Sequence, residues 1–500
     1  MSSFSRQRRI VLPVFFTMLV AAVISCVPSP SASPTALPSA TAAPPPTLPP
    51  SPSPTGVGPA PATEAPVPPT IPSGPLSSEG PWLVFVDGSG LPFGGAELWA
   101  VNPDGSGLTL LADQLIGMND PLAQAVPLGR PYVAYVTGRD GYHDLTLNIV
   151  TLPSGDVLAS IPLTSPETEP TDEDFLNRSP RAEALEAVHL SDSLAWSPDG
   201  LRLAFAGVID GPSSDVYLYS LEDGSITRLT DGPSQVAHLS WSPDGQYIFH
   251  VGVETFGVGA GYGLAGVWVV RADGGGVRSL YDPGDSGDEV PVGWFDEETV
   301  IVHSWEPGNG SFNLRSVNVR TGAVEPLFPD SFGSVDWSPS TLLVTQPLEA
   351  ESLLLIDPGD ASWLPLPGYS NASAVYSWEA DAFFVVSDQG VFAVWRDGRI
   401  TPLPAPTGSG GVPAAGGDTG QTLAWSGEGV WIGSLQSPQA QARQIFSGPA
   451  SDLEWAPEAA HMLFFASDGL FTAAAPDYVP ARVNEIGDSA DNPAWVWAWR

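Results

Sequence analysis

Histidines are the first residues to consider for chemistry, because imidazole binds metals and moves protons near neutral pH. The six histidines lack the spacing of a helical metal site; they are His143, His189, His238, His250, His303 and His461. The chain also has no Gly-x-Ser-x-Gly elbow, no phosphate loop and no Gly-x-Gly-x-x-Gly turn opening a helix. From these residues we assign no catalytic group, no cofactor and no metal ligand, and we favour a non-enzymatic protein.

Acidic clusters are the strongest local signal in the chain. One run extends from Glu167 to Asp174, and a second group contains Asp282, Asp285, Asp288 and Glu289. Carboxylates on loops are ligands that Ca²⁺ prefers, but neither group has the spacing of an EF-hand. We interpret both groups as solvated loops between structural units. Within the longer loop, Ser179-Pro180 predicts the start of a short helix that runs through Glu186.

The elements that must position these residues follow from one repeated stretch. Residues 193–205 read Ser-Leu-Ala-Trp-Ser-Pro-Asp-Gly-Leu-Arg-Leu-Ala-Phe, and residues 239–249 repeat the pattern. Each copy predicts a short apolar strand ending in Trp, a four-residue turn and a second strand. Pro presets the backbone of the second turn position, and Gly accepts a left-handed conformation at the fourth. Repeats of four short strands are typical of β-propeller blades.

The chain from residue 82 onward divides into nine such units by its strand and turn signals. They span 82–113, 123–163, 193–230, 238–281, 290–328, 333–367, 374–404, about 411–447 and 451–486. Single-ring propellers typically have about four to eight blades. We therefore predict an all-β single β-propeller of about eight four-stranded antiparallel blades, with seven and nine as alternatives.

The two ends of the repeat region complement each other. The first unit begins at Trp82 without a preceding Trp-ended strand, and the chain finishes with the apolar stretch 494–499. A tail that supplies the missing inner strand of the first blade closes the ring and removes an exposed strand edge. We therefore predict that the C-terminal strand closes the ring.

The Trp-Ser-Pro-Asp-Gly repeats resemble the WD40-like repeats of TolB-type bacterial propellers. The match is strong at 193–205 and 239–249, partial at 335–339 and 453–457, and faint elsewhere. The resemblance implies an exported propeller that binds other proteins, and it names no particular partner.

The repeated residues predict structure rather than ligand contact. We expect four tryptophans to pack between blades: Trp196, Trp241, Trp337 and Trp455. We expect the Asp-Gly pairs at 199–200 and 244–245 to form turns rather than to bind metal.

Candidate ligand residues lie instead in the loops from strand four to strand one and from strand two to strand three. By analogy with propellers generally, ligands bind where these loops gather, and loops on a rigid scaffold often carry function. The candidates are Arg139, Tyr142, His143, Asp210, Phe256, Tyr262, Asp285, Asp288 and Trp305.

The N-terminus has the organisation of an export signal, which we assign to residues 1–25. Arg6, Arg8 and Arg9 precede an apolar run over 10–24 that is short for a membrane-spanning helix. The run ends in Val-Ile-Ser-Cys26, which resembles the lipobox of bacterial lipoproteins. The resemblance implies that Cys26 carries a lipid anchor; an uncleaved anchor and an ordinary signal peptide are the alternatives. Cys26 is the single cysteine, so no intrachain disulfide forms.

Residues 26–80 predict a disordered linker, because Pro, Ser, Thr and Ala dominate and the segment has no aromatic residue. At roughly 3.1 Å per residue in polyproline II, such a spacer reaches on the order of 150 Å. The propeller domain takes 81–500.

The charge of the chain excludes one class of partner. It has 56 acidic residues against 18 basic ones, all of them Arg, and a formal net charge of −38. Repulsion from phosphate backbones argues against nucleic acid.

Together these features predict a monomeric, lipid-anchored binding module on the extracytoplasmic face of a bacterial cell membrane, with a protein or glycan partner. The alternative is a propeller enzyme, such as a lyase, lactonase or metal-dependent hydrolase, with its site in the central channel.

Overall fold

The computed structural model describes residues 74–496 apart from 89–94, 117–125, 140–142, 172, 175–178, 190–192, 257–261, 283–287, 307–308, 346–351, 370–371, 378–379, 404–410, 417–421, 435–441, 457–459, 468 and 484–489. The predicted signal peptide, Cys26 and most of the predicted linker lie outside this part of the chain. Within it, no helix is long and apolar enough to cross a membrane.

The described chain is almost entirely antiparallel β-structure. The first half of the strands, in chain order, comprises β1 (Trp82–Asp87), β2 (Ala96–Val101), β3 (Thr109–Leu115), β4 (Tyr132–Arg139), β5 (His143–Thr151), β6 (Val157–Pro162), β7 (Leu194–Trp196), β8 (Arg202–Gly207), β9 (Asp215–Ser220), β10 (Ile226–Arg228), β11 (Gln235–Trp241), β12 (Tyr247–Phe256), β13 (Tyr262–Arg271), β14 (Val277–Tyr281), β15 (Asp288–Trp294), β16 (Thr299–Glu306), β17 (Gly310–Asn318) and β18 (Val324–Phe328). A helix, α1 (Pro180–His189), lies between β6 and β7.

The remaining strands continue the same pattern. They are β19 (Ser334–Trp337), β20 (Leu342–Thr345), β21 (Ser352–Asp357), β22 (Ser362–Pro367), β23 (Ser373–Ser377), β24 (Ala382–Ser387), β25 (Gly390–Trp395), β26 (Ile400–Leu403), β27 (Gly411–Gly416), β28 (Thr422–Gly427), β29 (Gly429–Ser434), β30 (Arg443–Ser447), β31 (Ala450–Trp455), β32 (His461–Ala466), β33 (Gly469–Ala474), β34 (Val479–Arg482) and β35 (Ala490–Val496).

Within the described chain these strands form eight sheets, and because the largest sheet divides into two blades, the blade count is nine, one of the alternatives to the predicted eight. Seven of the sheets have four strands each, taken consecutively from β7 to β34. The remaining sheet has seven strands in the order β35-β1-β2-β3-β4-β5-β6. A single residue pair, Leu115 with Thr137, joins β3 to β4. We therefore divide this sheet into blade 1 (β35, β1, β2, β3) and blade 2 (β4, β5, β6), and number the four-stranded sheets blades 3 to 9, so that the nine units of the sequence each have a counterpart.

In several blades the first strand lies next to the first strand of its neighbour, as the inner strands of a propeller do. Strand β11 contacts β7 and β15, and the same relation joins β19 to β23, β23 to β27 and β27 to β31. Strands β7, β11, β15, β19 and β31 each end in the Trp of the repeat. The Trp-bearing segments are therefore inner strands.

The repeat tryptophans pack between blades, as predicted. Trp241 is almost fully buried, and its Nε1 donates a hydrogen bond to the carbonyl of Ala195 in the preceding inner strand, at 2.8 Å. Trp294 repeats this contact one blade later through Ser240 Oγ, at 3.1 Å. Each of these tryptophans thus forms a hydrogen bond with the preceding blade. The acceptor is the residue just before that blade's own repeat tryptophan, Ala195 before Trp196 and Ser240 before Trp241. Trp337 and Trp455 are also buried, and the half-buried Trp196 ring packs against Tyr132.

The Asp-Gly pairs form turns, which confirms their structural role. In the first repeat, Asp199 Oδ1 accepts hydrogen bonds from Ser197 Oγ and from the backbone amide of Leu201. Gly200 adopts a φ of 66°, a left-handed conformation that glycine enters without steric cost. A cross-blade contact reinforces the second turn, where Arg202 Nη2 donates to the carbonyl of Gly245.

The C-terminal strand closes the ring, as predicted. Strand β35 pairs antiparallel with β1, with Trp82 opposite Val496 and Leu83 opposite Trp495. It occupies the position in blade 1 that β11 occupies in blade 4, and Val496 is fully buried there.

The last residues of the predicted linker pack on blade 1. Asn102 Nδ2 donates to the carbonyl of Pro75, and its Oδ1 accepts from the amide of Ser77. Trp82 Nε1 donates to the carbonyl of Ser77. A Cβ on Gly80 would lie 3.2 Å from the carbonyl oxygen of Val496. This short segment therefore lies beside the closure between β1 and β35.

Candidate functional site

Each blade has two ends, and the predicted ligand residues lie at one of them. The first end is the loop edge: strands one and three begin there, and strands two and four end there. The other end, which carries the Trp-Ser-Pro-Asp-Gly turns, is the turn edge. In the described backbone, three candidate pairs face each other across neighbouring strands at loop edges: Arg139 with His143, Phe256 with Tyr262, and Asp288 with Trp305.

Two further candidates, Tyr142 and Asp285, lie outside the described residues, as do the side chains of Phe256 and Tyr262. Asp210 lies between β8 and β9 at the loop edge of blade 3. The candidates therefore occupy the predicted edge of four consecutive blades, and their role in binding stays a prediction.

In blade 2 the loop edge is joined to the long insertion that follows β6. His143 Nδ1 lies 3.4 Å from Glu169 Oε1, which also accepts a hydrogen bond from the amide of Asp144. Thr164 donates to the second oxygen of Glu169, and Arg139 pairs with Asp144. Glu169 thus binds the β4–β5 hairpin to the insertion, so it is not simply a solvated acid.

The acidic run of the insertion is ordered by its own hydrogen bonds. Asp174 accepts from Thr171 and Ser179, and these bonds lower the pKa of Asp174 to about 2. Ser179 caps α1, because its Oγ accepts from the amide of Ala182, and Pro180 takes the first helical position. This confirms the predicted helix, which extends to His189. Arg181 donates to the carbonyls of Glu167 and Glu169.

Helix α1 anchors the insertion among four blades. It contacts β8, β11 and β12, and five of its side chains are almost completely buried: Ala182, Ala184, Leu185, Ala187 and Val188. Leu185 and Val188 pack with residues of blades 2 and 3, whereas Ala187 packs with blades 4 and 5. The insertion is therefore part of the hydrophobic core.

A buried carboxylate organises the loop edge of blade 3. Asp215 is 1% exposed and accepts hydrogen bonds from Thr230 Oγ1 and from Arg228 Nη2, at 2.7 and 2.6 Å. Burial raises the pKa of Asp215, and these hydrogen bonds oppose the rise. Arg228 also pairs with Asp210 and Asp231. One largely buried arginine therefore holds both loops of this edge.

A second buried carboxylate organises the loop edge of blade 5. Glu289 is fully buried and accepts from Arg315 Nη2 on both oxygens, at 2.5 and 2.6 Å. It also accepts from Ser304 Oγ and from the hydroxyl of Tyr281, the last residue of blade 4. Burial and the Glu289 charge raise the pKa of Tyr281. The network therefore joins two blades at their loop edges.

Sequence reasoning missed Asp215, Arg228, Glu289 and Arg315 as organising residues. Asp215 was not singled out by the sequence, and the prediction that Glu289 belongs to a solvated acidic loop is wrong, because Glu289 lies in β15 and is fully buried. Their partners stand 13 and 26 residues away, and only the strand pairing brings them together. The available signal was an acid at the beginning of a strand together with an Arg in another strand of the same blade.

Among the residues that the structure describes, no group of three or more His, Cys, Asp or Glu side chains is arranged to hold a metal ion.

The strand order, the adjacent inner strands and the closure by β35 define the class: the chain is a β-propeller.

Comparison with known proteins assigns the chain to no family. No family model matches. It is 31% identical over 159 residues to an uncharacterised protein of Agrobacterium fabrum, Atu1656, which covers 29% of the chain and 50% of the relative. It is 45% identical over 53 residues to the uncharacterised peptidase YuxL of Bacillus subtilis, covering 11% of the chain and 8% of the relative. The chain thus spans half or less of these curated relatives.

Solved structures similar to the chain include the C-terminal WD40 domain of Sif2, with a TM-score of 0.39 and 17% identity over 70% of this chain and 94% of that one. TolB from Acinetobacter baumannii has a TM-score of 0.29 and 15% identity, covering 59% of this chain and 65% of that one.

Proposed function

We propose that this protein is a lipid-anchored, extracytoplasmic β-propeller that binds a protein or a glycan at the bacterial cell envelope. One observation carries the binding role: at the loop edges of blades 3 and 5, buried carboxylates hold arginines inward and fix the loops. Asp215 and Glu289 are 1% and 0% exposed, and Arg228 and Arg315 are 19% and 15% exposed.

This arrangement suits recognition, because loops fixed on rigid strands present a preformed surface and lose little entropy on binding. With Arg228 directed inward, the acids around it remain on the surface: the side chains of Asp210 and Asp231 are 57% and 86% exposed. They supply acceptors for the hydroxyls of a glycan or for the polar groups of a protein.

The position of the linker supports presentation of this edge. Pro75 and Ser77 are held by Asn102, which follows β2 at the turn edge of blade 1. A tether that reaches the domain at the turn edge leaves the loop edge directed away from its point of attachment. The predicted lipid on Cys26 and the extended linker complete the proposal.

The anchor is tested by incorporation of a labelled fatty acid. The natural protein is expected to take up the label and Cys26→Ala is expected to lose it, while globomycin is expected to leave a labelled precursor of larger mass in the membrane fraction, because it blocks removal of the signal peptide after lipidation. If the natural protein takes up no fatty acid, the lipid anchor is excluded.

The binding role is tested by pull-down from envelope extract with the full-length protein. We expect Asp210→Asn with Asp231→Asn at the loop edge to reduce recovery of the partner. The matched control is Asp223→Asn with Asp273→Asn, two exposed acids at the turn edge, which is expected to leave recovery unchanged. Equal loss in both variants would show that general charge, rather than the loop edge, determines binding.

A further inference from the structure

The residues that precede β1 are held in place by side chains of blade 1. We call residues 74–80 the latch. The carbonyl of Pro75 accepts a hydrogen bond from Asn102 Nδ2 at 3.1 Å, and the amide of Ser77 donates to Asn102 Oδ1 at 2.8 Å. The carbonyl of Ser77 accepts from Trp82 Nε1 at 3.0 Å. Three hydrogen bonds to side chains therefore fix a segment that belongs to no helix or strand.

The latch also covers one end of the ring closure. Leu76 packs against the apolar cluster that contains Trp82 of β1 and Val496 of β35. Trp82 and Val496 face each other across the two strands. The backbone at Gly80 approaches the same end, because a Cβ there would lie 3.2 Å from the carbonyl oxygen of Val496. The latch therefore packs beside both of the strands that close the ring.

The docked latch leaves no room for a side chain in the turn that follows β2. Gly107 adopts a φ of 72° there, and a Cβ on it would lie 2.7 Å from the carbonyl oxygen of Pro75 and 2.7 Å from Asn102 Nδ2. Non-bonded atoms do not approach each other so closely, because their repulsion rises steeply at that distance. A side chain at position 107 and a docked latch therefore exclude each other, so the latch can be undocked without changing any of its own residues.

We propose that the latch is a conformational device that couples the tether to ring closure: docked on Asn102, it holds β35 in blade 1, and undocking it frees β35 to separate from β1. The coupling follows from the shared packing, because undocking withdraws Leu76 from the cluster of Val496 and leaves Trp82 Nε1 without its acceptor. A pull along the chain before residue 74 reaches the Asn102 contacts before it reaches β1. The latch does not depend on the proposed lipid anchor, since all of these contacts lie within blade 1 and the segment itself.

Hydrogen exchange of the full-length protein tests the latch through Gly107→Ala, which places a Cβ against Pro75. Three hydrogen bonds of ordinary net strength correspond to roughly 100-fold in the equilibrium between docked and undocked states. We expect the peptide that contains β35 to exchange about 10- to 100-fold faster in Gly107→Ala than in the natural protein. Peptides from blades 4 to 6 are expected to exchange at unchanged rates.

The matched control is Gly224→Ala in blade 3. Gly224 also lies between the third and fourth strands of its blade, with a φ of 71°, but a Cβ there meets no atom within 4 Å. This variant introduces the same left-handed alanine without a clash and is expected to leave the exchange of β35 unchanged. Equal exchange of β35 in the two alanine variants would overturn the latch.

A second variant keeps the test decisive if Gly107→Ala fails to fold. Asn102→Leu has a similar size and removes both hydrogen bonds from Asn102 to the latch, so it is expected to speed the exchange of β35 in the same way. Its control, Ser77→Ala, removes only a hydroxyl that donates to the carbonyl of Glu79 and keeps the backbone groups that Asn102 and Trp82 bind. Unchanged exchange of β35 in Asn102→Leu, or faster exchange in every blade, is incompatible with the latch.

Discussion

Buried ion pairs at the loop edges show how single residues hold these blades together. Replacing Arg315 with Met removes the main charge partner of Glu289, which is fully buried. An uncompensated buried charge costs about 3–5 kcal/mol. We therefore expect Arg315→Met to lower the free energy of unfolding by about that amount, as measured by urea denaturation.

The matched control for Arg315→Met is Arg320→Met in the same blade. Arg320 pairs with Glu298, but their side chains are 61% and 39% exposed. Exposed pairs contribute about 0–1 kcal/mol. The account of blade 5 is wrong if both variants unfold at the same urea concentration, or if adding Glu289→Gln to Arg315→Met recovers no stability.

A second residue, His250, predicts how stability depends on pH. It is 4% exposed, and burial lowers its pKa to about 4 from an ordinary 6.5. The unfolded chain therefore binds a proton at a higher pH than the folded chain does. The contribution of neutral His250 is complete above pH 6.5 and is lost as the pH falls towards 4. The loss is on the order of 3 kcal/mol.

His250→Phe is expected to reduce the loss of stability that the protein shows as the pH falls from 6.5 towards 4. Stability of the variant relative to the natural protein should rise as the pH is lowered from 7 to 4.5, in melts at matched ionic strength. A constant difference between the two proteins over that range would contradict a neutral, buried His250.

At the scale of elements, the outer strand of each blade has an exposed edge, and proline limits pairing at several of these edges. The fourth strands of the blades are the exposed ones, as β10 and β14 show, whereas second and third strands such as β8 and β9 are buried on both faces. Several outer strands contain proline: Pro162, Pro326, Pro365, Pro367, Pro402 and Pro480. Proline has no amide hydrogen and so blocks pairing with another chain.

Restoring these donors is expected to promote association. The triple variant Pro326→Thr, Pro402→Thr and Pro480→Thr should increase light scattering on incubation while changing the melting temperature little. The control, Pro103→Thr, changes a turn rather than an outer strand and should not increase scattering. Unchanged scattering in the triple variant would show that proline does not protect these edges.

The elements also show what the sequence could predict. The Trp-Ser-Pro-Asp-Gly turn and the N-terminal cap of helix α1 depend on contacts between residues within five positions of each other. Such local contacts can be predicted from the sequence. The ring closure could be predicted because the first unit lacked an inner strand and the C-terminal tail was an apolar stretch with no blade after it. The Asp215–Arg228 and Glu289–Arg315 pairs could not, because strand register decides which Arg meets which acid. The described candidate residues lie at one edge of their blades and their role in binding stays a prediction, whereas the polar contacts that organise this edge come from Asp215 and Glu289 with their arginines, which the sequence did not bring together.

At the scale of the whole molecule, the ring is stabilised by links from one inner strand to the next. Trp241 and Trp294 donate to the preceding inner strands. Asp336 Oδ2 accepts the amide of Tyr376 from the following inner strand. These contacts between neighbouring inner strands stabilise the ring only while it is closed. An open ring leaves two blades with an uncovered face and one unpaired strand edge.

The closure between β35 and β1 is therefore the contact on which the ring depends. Deleting residues 491–500 removes the partner of β1 and uncovers Trp82, Leu83 and Val84, which are buried on an inner position of blade 1. We expect insoluble or protease-sensitive protein, because an uncovered apolar strand edge pairs with other chains. The control is a deletion of equal length in the predicted linker, residues 41–50, which should leave solubility and melting temperature unchanged. If the tail deletion also matched the full-length protein in both measurements, the ring would have to be held by the packing of its blades alone, and β35 would be an accessory strand.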